Sequence, residues 1–247
     1  MKKILVPSLI ALAISSLASV AQAQTAPEST LSYNAGVVSD YRYRGISQSR
    51  LQPALQGGVD YADKSGFYVG AWGSTIKWIK DAGASAGAVE IDLYGGYKAA
   101  VGDVAYDVGF LRYEYAGNKY KEVTGANANT NEVYGAVTYG LFTAKYSHAL
   151  SNLFGTPDSK NSYYVDLSAT VDLGDGYSLV PHVGYQKVKN TTNGSYTDYA
   201  LTLGKDLGNG LAATVAVVGT NADEVAYTLK DKFNGKSGIV VGLKYSF

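Results

Sequence analysis

Apolar and polar residues alternate with a period of two through nearly the whole chain beyond residue 30, and this pattern restricts the fold most. The first segment is the clearest example, because its two faces differ in character from Leu31 to Arg44. One face carries mainly aliphatic and tyrosine side chains: Leu31, Tyr33, Ala35, Val37, Tyr41 and Tyr43. The other face carries small, polar and charged residues: Ser32, Asn34, Gly36, Asp40, Arg42 and Arg44. Such alternation predicts β-strands with two unlike faces.

Similar strands are predicted along the rest of the chain. They lie at about 53–62, 66–78, 88–99, 103–116, 131–140, 141–149, 162–173, 176–188, 196–205, 209–220 and 239–247. In the strand from Asp103 the parity changes after Phe110, so we expect a β-bulge near Phe110–Leu111. In the strand that contains Trp72 we expect Phe67 on the outer face. The total is about twelve strands, an even number as in single-chain bacterial barrels.

The connections between these strands alternate between short and long. The short ones follow residues near 63, 100, 139, 174 and 206, and several contain Gly or Asn, which tight hairpin turns require. The long ones span about 45–52, 79–87, 117–130, 150–161, 189–195 and 221–236. Outer-membrane barrels sort their connections in this way, with short periplasmic turns and longer external loops. We therefore predict a transmembrane up-and-down antiparallel β-barrel that is all-β.

The first residues resemble a secretory signal. Lys2 and Lys3 precede an apolar run to Val20, and Ala21-Gln22-Ala23 offers the small-residue pattern of a cleavage site. We expect a signal peptide over 1–23, a short lead over 24–30 and the barrel over 31–247. The chain has no Cys, which excludes a lipid-anchored lipoprotein and a disulfide scaffold. The predicted location is the outer membrane of a Gram-negative bacterium.

Charge argues against nucleic-acid binding. The chain has 21 basic and 21 acidic residues, and removal of Lys2 and Lys3 leaves 19 basic residues and a net charge of −2. A nucleic-acid-binding protein needs a basic face instead. The 22 Tyr residues suit strands and membrane interfaces. We expect the aromatic girdles to include Tyr33, Tyr41, Tyr43, Tyr61, Tyr97, Tyr106, Tyr139, Tyr163, Tyr177, Tyr185, Tyr199 and Tyr245.

If the apolar parity faces lipid, the polar parity faces the lumen. The candidate pore-lining residues are Asp40, Arg42, Arg44, Asp60, Glu90, Asp92, Lys98, Asp107, Arg112, Lys145, Asp166 and Lys244. Charges on this scale predict either a water-filled passage or a closed salt-bridge plug. The acidic excess predicts a mild cation preference. Asp40, Arg42 and Arg44 are expected at the outer mouth, either as an entry filter or as cross-strand ion pairs that fix register.

The sequence offers little for catalysis. Ser147 and His148 are adjacent, but neighbouring strand residues face opposite sides and do not form a dyad. The sequence contains neither a metal-ligand spacing nor a phosphate loop nor a nucleophile elbow, and we expect no cofactor. His182 is expected in the lumen. The alternative to a channel is a closed structural or adhesin-like barrel that works through its loops.

The final residue, Phe247, lies on the apolar parity of the last strand. A terminal aromatic of this kind is what the barrel-assembly machinery recognises in outer-membrane barrels. Phe247 is therefore the candidate assembly signal. Besides that machinery, the expected partners are membrane lipid and small solutes, and a monomer is the expected state.

Two segments carry a family resemblance. Residues 37–49, VVSDYRYRGISQS, and 53–58, PALQGG, resemble the opening of the TorF-type family of proposed outer-membrane porins. Residues 65–74, SGFYVGAWGS, continue the similarity. The motif portion covers about the first third of the mature chain. The resemblance implies an outer-membrane pore whose solute is not defined, and it carries over no functional residue.

Overall fold

A computed structural model describes residues 29–247. The predicted signal peptide and most of the lead lie outside these residues. Twelve antiparallel strands form the wall, the eighth of them interrupted at Thr170. They are β1 (Ser29–Val38), β2 (Ala54–Asp63), β3 (Phe67–Thr75), β4 (Val89–Val101), β5 (Val104–Glu114), β6 (Thr130–Tyr139), β7 (Phe142–Ala149), β8 (Tyr163–Ala169 and Val171–Gly174), β9 (Tyr177–Lys187), β10 (Tyr196–Gly208), β11 (Leu211–Thr220) and β12 (Gly238–Ser246).

Each strand pairs with its neighbour in sequence, and the sheet closes on itself. The closing pair joins β1 to β12, from Asn34 opposite Ser246 to Val38 opposite Gly242. Closure leaves no exposed sheet edge, which is the condition for a β-structure in lipid. The predicted class, a closed up-and-down barrel of about twelve strands, is confirmed.

The connections are sorted by length, as predicted. Five turns of two or three residues lie at one end of the barrel, together with Ser29 and Phe247. Asp175-Gly176 and Asn209-Gly210 have positive φ at both positions, the geometry of a type I′ hairpin turn. The six long connections, 39–53, 76–88, 115–129, 150–162, 188–195 and 221–237, lie at the other end. We call these the turn end and the loop end.

The outer wall is apolar. Leu55, Phe67, Val108, Leu201 and Leu243 are among its many exposed large side chains. The orientation predicted for β3 is right, since Phe67 is exposed and Trp72 packs inside against Tyr41. Ten of the predicted girdle tyrosines lie on the outward parity of their strands: Tyr33, Tyr61, Tyr97, Tyr106, Tyr139, Tyr163, Tyr177, Tyr185, Tyr199 and Tyr245.

The other two girdle assignments are wrong. β1 ends at Val38 instead of continuing to Arg44, and the chain then turns into the barrel. Tyr41 is 2% exposed, and Tyr43 packs on Tyr113 and Phe154. The period-two pattern continues past Val38 because residues 42–47 form a small hairpin of their own, with Arg42 opposite Ser47. Periodicity alone does not distinguish this hairpin from a continued strand.

The bulge expected near Phe110–Leu111 is absent. The registers of β5 with β4 and with β6 run without a shift through this region. Leu111, Tyr113 and Tyr115 therefore point inward, and each is at most 4% exposed. Arg112, which was predicted to line the lumen, lies on the outward parity. The bulge prediction was wrong because the apolar inward residues of β5 pack on loops inside the barrel and do not face lipid.

Aromatic contacts join two of the loops at the loop end. Trp78 lies in a four-residue helix, Trp78–Asp81, and packs edge-on against Tyr115 and Tyr120 at 5.3 and 5.2 Å between ring centroids. A second short helix is Tyr120–Thr124, and a 3₁₀ turn spans Leu153–Gly155. Within residues 29–247, no helix has the length and apolar character to cross a membrane.

Candidate functional site

The interior of the barrel combines small and charged side chains. Eight of the candidate residues lie on the inward parity of their strands: Asp60, Glu90, Asp92, Lys98, Asp107, Lys145, Asp166 and Lys244. Glycine and alanine line much of the interior near the turn end, where Gly70, Gly96 and Gly109 lie against tyrosine side chains. A Cβ at Gly96 would lie 2.6 Å from the Tyr68 hydroxyl oxygen. The sequence thus leaves room for large polar side chains to cross the interior.

Residues 39–53, which we call the inward loop, fill the interior near the loop end. Asp40 organises this loop by accepting hydrogen bonds from Ser47 Oγ at 2.5 Å and Ser49 Oγ at 3.0 Å. It also forms an ion pair with Arg42. Both side chains of that pair are at most 8% exposed. Asp40 and Arg42 therefore stabilise the loop itself and do not lie on a strand of the barrel wall.

Arg42 also joins the inward loop to the last long loop. Its guanidinium donates to the backbone oxygens of Gly45 at 2.9 Å, Asn234 at 3.2 Å and Lys236 at 2.9 Å. Because five donors in a planar fork suit several acceptors at once, arginine fits this role better than lysine.

Arg44 reaches across the barrel to the opposite wall. Its guanidinium donates to both carboxylate oxygens of Glu132 on β6, at 3.1 and 2.7 Å, and to Gln186 Oε1 on β9 at 2.7 Å. It also lies 4.4 Å from the ring centroid of Tyr164 on β8. Since β1 pairs only with β2 and β12, these contacts do not fix the register of the first strand. We call the contact of Arg44 with Glu132 and Gln186 the arginine latch.

A left-handed turn presents Arg44 to the opposite wall. Arg44 and Gly45 both have positive φ, 47° and 76°, at the tip of the 42–47 hairpin. This is the type I′ geometry, which favours glycine at the second position. Gly45 also touches the wall, since a Cβ there would lie 2.5 Å from Thr220 Cγ2 and 2.6 Å from Asp198 Cβ.

Buried carboxylates surround the inward loop. Glu90 and Glu132 are 2% and 1% exposed, and Glu90 accepts a hydrogen bond of 2.5 Å from the Tyr41 hydroxyl. Burial, followed by the nearby carboxylates of Glu90 and Asp92, raises the pKa of Tyr41 well above its usual value, so Tyr41 is the donor. Asp92 is fully buried, and neither of its carboxylate oxygens has a hydrogen-bond partner among the described residues.

Near the turn end, tyrosine hydroxyls bind the interior carboxylates. Tyr94 donates to Asp60 at 2.5 Å, and Tyr68 donates to Asp107 at 2.6 Å. The ammonium groups of the neighbouring lysines lie over tyrosine rings. Lys98 is 4.6 Å from the ring centroid of Tyr68, and Lys145 is 4.1 Å from that of Tyr134. These cations are held by ring faces as well as by the surrounding charges.

His182 lies inside, as expected, but in a defined cluster. Its Nε2 is 2.6 Å from Asp166 Oδ2, and its Nδ1 is 3.7 Å from Asp198 Oδ1. The Tyr164 hydroxyl lies 3.1 Å from His182 Nε2 and donates to Asp198 at 3.0 Å. The inward tyrosines 68, 94, 134 and 164 were not among the predicted site residues. These tyrosines alternate with the apolar residues of their strands, and this position in the pattern is the signal that predicts an inward side chain.

Arg112 lies outside the candidate site. It points outward near the loop end, where its Nε donates to Glu114 Oε2 at 2.9 Å and its Nη1 donates to Asn131 Oδ1 at 3.1 Å. Its side chain is 38% exposed. Ser147 is buried inside whereas His148 is on the outer wall, so these neighbours form no dyad. In residues 29–247, no group of three or more His, Asp or Glu side chains is placed to hold a metal ion.

A family model described as "Bacterial protein of unknown function (Gcw_chp)" matches residues 22–247. The chain belongs to the Gcw_chp family. The match spans the whole barrel of this Gcw_chp chain, including the inward loop. No curated protein sequence matches the chain.

Several solved structures share the fold of this Gcw_chp protein. The KdgM porin aligns with a TM-score of 0.56 at 10% identity, over 89% of this chain and 99% of that one. The NanC porin aligns with a TM-score of 0.54 at 12% identity, over 88% and 99%. The COG4313 outer membrane channel from Pseudomonas putida F1 aligns with a TM-score of 0.53 at 11% identity, over 92% and 99%. The fold is that of outer-membrane porins.

Proposed function

We propose that this protein is a passive channel for small polar or ionic solutes across the outer membrane. The observation that supports the proposal best is the separation of side chains by the wall. Leucine, valine and tyrosine cover the outside, whereas charged residues such as Asp60, Lys145 and Lys244 face the interior. Because an unpaired charge in a dry core is costly, such an interior requires water.

The proposed location follows from the wall and the first residues together. An apolar band with tyrosines at both ends suits a bilayer, and the secretory signal expected over 1–23 directs export. In this arrangement the turn end faces the periplasm and the loop end faces the exterior. The similarity of residues 37–49 and 53–58 to the TorF-type porins supports the same proposal. A monomer is the state we propose.

The charges inside support a mild cation preference. Inward carboxylates on the strands outnumber inward cations: Asp60, Glu90, Asp92, Asp107, Glu132, Asp166 and Asp198 face Lys98, Lys145 and Lys244 together with Arg44 of the inward loop. Rings of carboxylates favour cations in channels. Reversal potentials under a salt gradient measure this preference directly.

A closed barrel is the second candidate, and the arginine latch is the observation that favours it. Arg44 and Glu132 are 7% and 1% exposed, so the latch is buried inside the barrel near the loop end. A barrel with this latch permanently in place would be structural or adhesin-like. Conduction past the inward loop would instead require a passage beside the latch or a latch that opens.

Recording in planar bilayers separates the two candidates. The protein is purified from outer membranes of cells that express the full chain, and single-channel currents are compared for wild type, Arg44→Ala and Arg112→Ala. If the protein is a channel, we expect current steps in the wild type and larger steps in Arg44→Ala, because removal of the guanidinium widens the passage. Arg112→Ala is the matched control on the outer wall and leaves the current unchanged. Silent insertion of all three proteins would support the closed barrel.

A further inference from the structure

A patch on the outer wall near the loop end is the strongest feature that the channel proposal does not use. Three neighbouring strands, β7, β8 and β9, place His148, Tyr163 and Lys187 directly opposite one another in register. One row further from the loops, Tyr146 and Tyr185 lie opposite Val165 in the same way. All of these residues are on the outward parity.

The aromatic rings of this patch form a continuous surface. The ring centroids are 5.8 Å apart for Tyr146 and Tyr163, and 6.3 Å apart for Tyr163 and Tyr185. His148 stacks on Tyr146 at 6.1 Å. Tyrosine rings at this height mark the boundary between hydrocarbon and headgroups.

Both nitrogens of His148 are engaged. The Tyr146 hydroxyl donates to Nδ1 at 3.0 Å, and Nε2 donates to Asn161 Oδ1 at 3.2 Å. The imidazole thus joins the tyrosine surface to the loop after β7. His148 therefore holds the chain next to Lys160 against the wall.

Three lysines border the tyrosine surface at the loop end: Lys160, Lys187 and Lys189. None of their ammonium groups has a carboxylate within 4 Å among residues 29–247. Hydrogen bonds join the two loops that carry them, from Lys189 N to Ser162 Oγ at 3.0 Å and from Asn190 Nδ2 to the Asp158 backbone oxygen at 2.9 Å. Asp158 is the one acidic residue of these loops. The local charge is therefore positive.

The patch differs from the outward-facing rim at β5. Arg112, the outward cation at the loop end of β5, is neutralised by Glu114. Lysines near a membrane interface attract the phosphate groups of lipids. This attraction is available for lipid binding when no carboxylate pairs with the lysine. Unpaired lysines above a tyrosine surface thus fit a lipid whose phosphate lies at the headgroup level and whose acyl chains lie along β7–β9.

We propose that Tyr163, Lys160, Lys187 and Lys189, which we call the basic rim, bind a phosphorylated glycolipid of the outer leaflet. The lipid class is lipid A, whose glucosamine phosphates meet the lysines and whose acyl chains cover Val165 and Tyr185. This inference rests on the proposed outer-membrane location, since the loop end then faces the leaflet that contains lipid A.

The test measures lipid binding by native mass spectrometry in detergent, with protein purified from cells that express the full chain. Bis-phosphorylated lipid A, the same lipid after enzymatic removal of its phosphates, and phosphatidylglycerol are each titrated. The variant is Lys160→Gln/Lys187→Gln/Lys189→Gln. The matched control is Lys80→Gln/Lys121→Gln/Lys232→Gln, which removes three exposed lysines from other loops at the same end.

We expect lipid A to bind the wild type and the control equally and the basic-rim variant at least about tenfold more weakly. Dephosphorylated lipid should bind the wild type as weakly as lipid A binds the variant. The proposal would be overturned if lipid A bound the variant as tightly as the wild type. It would also be overturned if the wild type bound the dephosphorylated lipid as tightly as lipid A, or bound phosphatidylglycerol more tightly than lipid A.

Single-channel recording on the same preparations separates this inference from the channel proposal. The basic rim lies outside the barrel, so its variant should conduct as the wild type does. Absence of current in all preparations, with phosphate-dependent lipid binding intact, would count against the channel alone. Normal current without phosphate-dependent binding would count against the basic rim alone.

Discussion

Arg44 shows at the residue scale how one side chain connects distant parts of the barrel. It leaves the tip of the 42–47 hairpin and meets Glu132 and Gln186, which are 88 and 142 residues away in sequence. A cation so placed offsets a carboxylate that is 1% exposed. The buried ion pair fixes the position of the inward loop but adds little net stability, because the cost of desolvating both charges offsets much of their attraction.

Arg44→Ala is expected to destabilise the barrel, because it leaves Glu132 buried without its partner. The expected loss in free energy of unfolding is about 3–5 kcal/mol. Urea unfolding in lipid vesicles, followed by tryptophan fluorescence, measures it. Arg112→Ala is the control, and the exposed pair it breaks contributes about 0–1 kcal/mol. Equal effects of the two substitutions would show that the latch is not a buried ion pair.

Gly45→Ala is expected to displace the hairpin tip. Alanine at φ +76° costs about 1–2 kcal/mol, and its Cβ would also contact Thr220 and Asp198. Gly117→Ala separates the two effects, since Gly117 has φ +63° and nothing within 4 Å of the added Cβ. We expect the larger loss of stability for Gly45→Ala in the same unfolding experiment. A loss no greater than that of Gly117→Ala would mean that the tip does not touch the wall.

At the scale of elements, the barrel closes where its two terminal strands meet. Tyr33 N donates to Phe247 O at 2.8 Å, and Phe247 N donates to Tyr33 O at 3.0 Å. The Phe247 ring stacks on Tyr33 at 5.7 Å and on Tyr245 at 5.5 Å between centroids. The last residue thus belongs to the closing strand pair in the folded barrel, in addition to its predicted role in assembly.

Phe247→Ala is expected to reduce the amount of barrel assembled in the outer membrane. The physical reason is the loss of both the terminal aromatic proposed for recognition and the stacking that closes the seam. Heat-modifiable gel mobility of outer-membrane fractions measures the folded protein. Phe142→Ala is the control, because Phe142 is also an outward aromatic at the turn end, 65% exposed, but lies away from the terminus. If both variants assemble equally well, the terminal position has no special role.

At the scale of the whole molecule, charged residues are distributed unequally between the lipid-facing wall and the interior of the barrel. The wall excludes charge from the lipid side, apart from residues near the rims such as Arg112 and Lys187. The interior collects carboxylates and binds several of them with tyrosine hydroxyls. A hydrogen bond from a neutral tyrosine hydroxyl fixes a carboxylate without placing a positive charge beside it.

The cation preference should therefore disappear in acid. Carboxyl groups in water titrate near pH 4, so acid removes negative charge from water-exposed carboxylates and leaves lysines charged. We expect the reversal potential in a potassium chloride gradient to indicate cation preference at pH 7 and to shift toward anions at pH 3.5. Lys145→Gln should strengthen the preference at pH 7, and Lys205→Gln on the outer wall should leave it unchanged. Anion preference at pH 7 would contradict the proposal.

The sequence by itself determined the barrel, its strand number and the sorting of its connections. These follow from local rules, because the period-two pattern gives each strand a lipid face and a lumen face, and turn residues such as Asn209-Gly210 mark its ends. The inward parity of Asp60, Lys98, Asp107 and Lys244 was predictable for the same reason.

Only the tertiary structure decided what fills the barrel. Residues 41–44 alternate as a strand does, yet they fold inward, because closure brings Glu132, Gln186 and Tyr164 within reach of one guanidinium. Tyr113 and Tyr115 are apolar enough for the lipid face but are buried against the loops, which places Arg112 outside. Inward-facing side chains contact either water or loops that enter the barrel, and local periodicity does not distinguish the two. Which of them a side chain contacts depends on residues far apart in sequence.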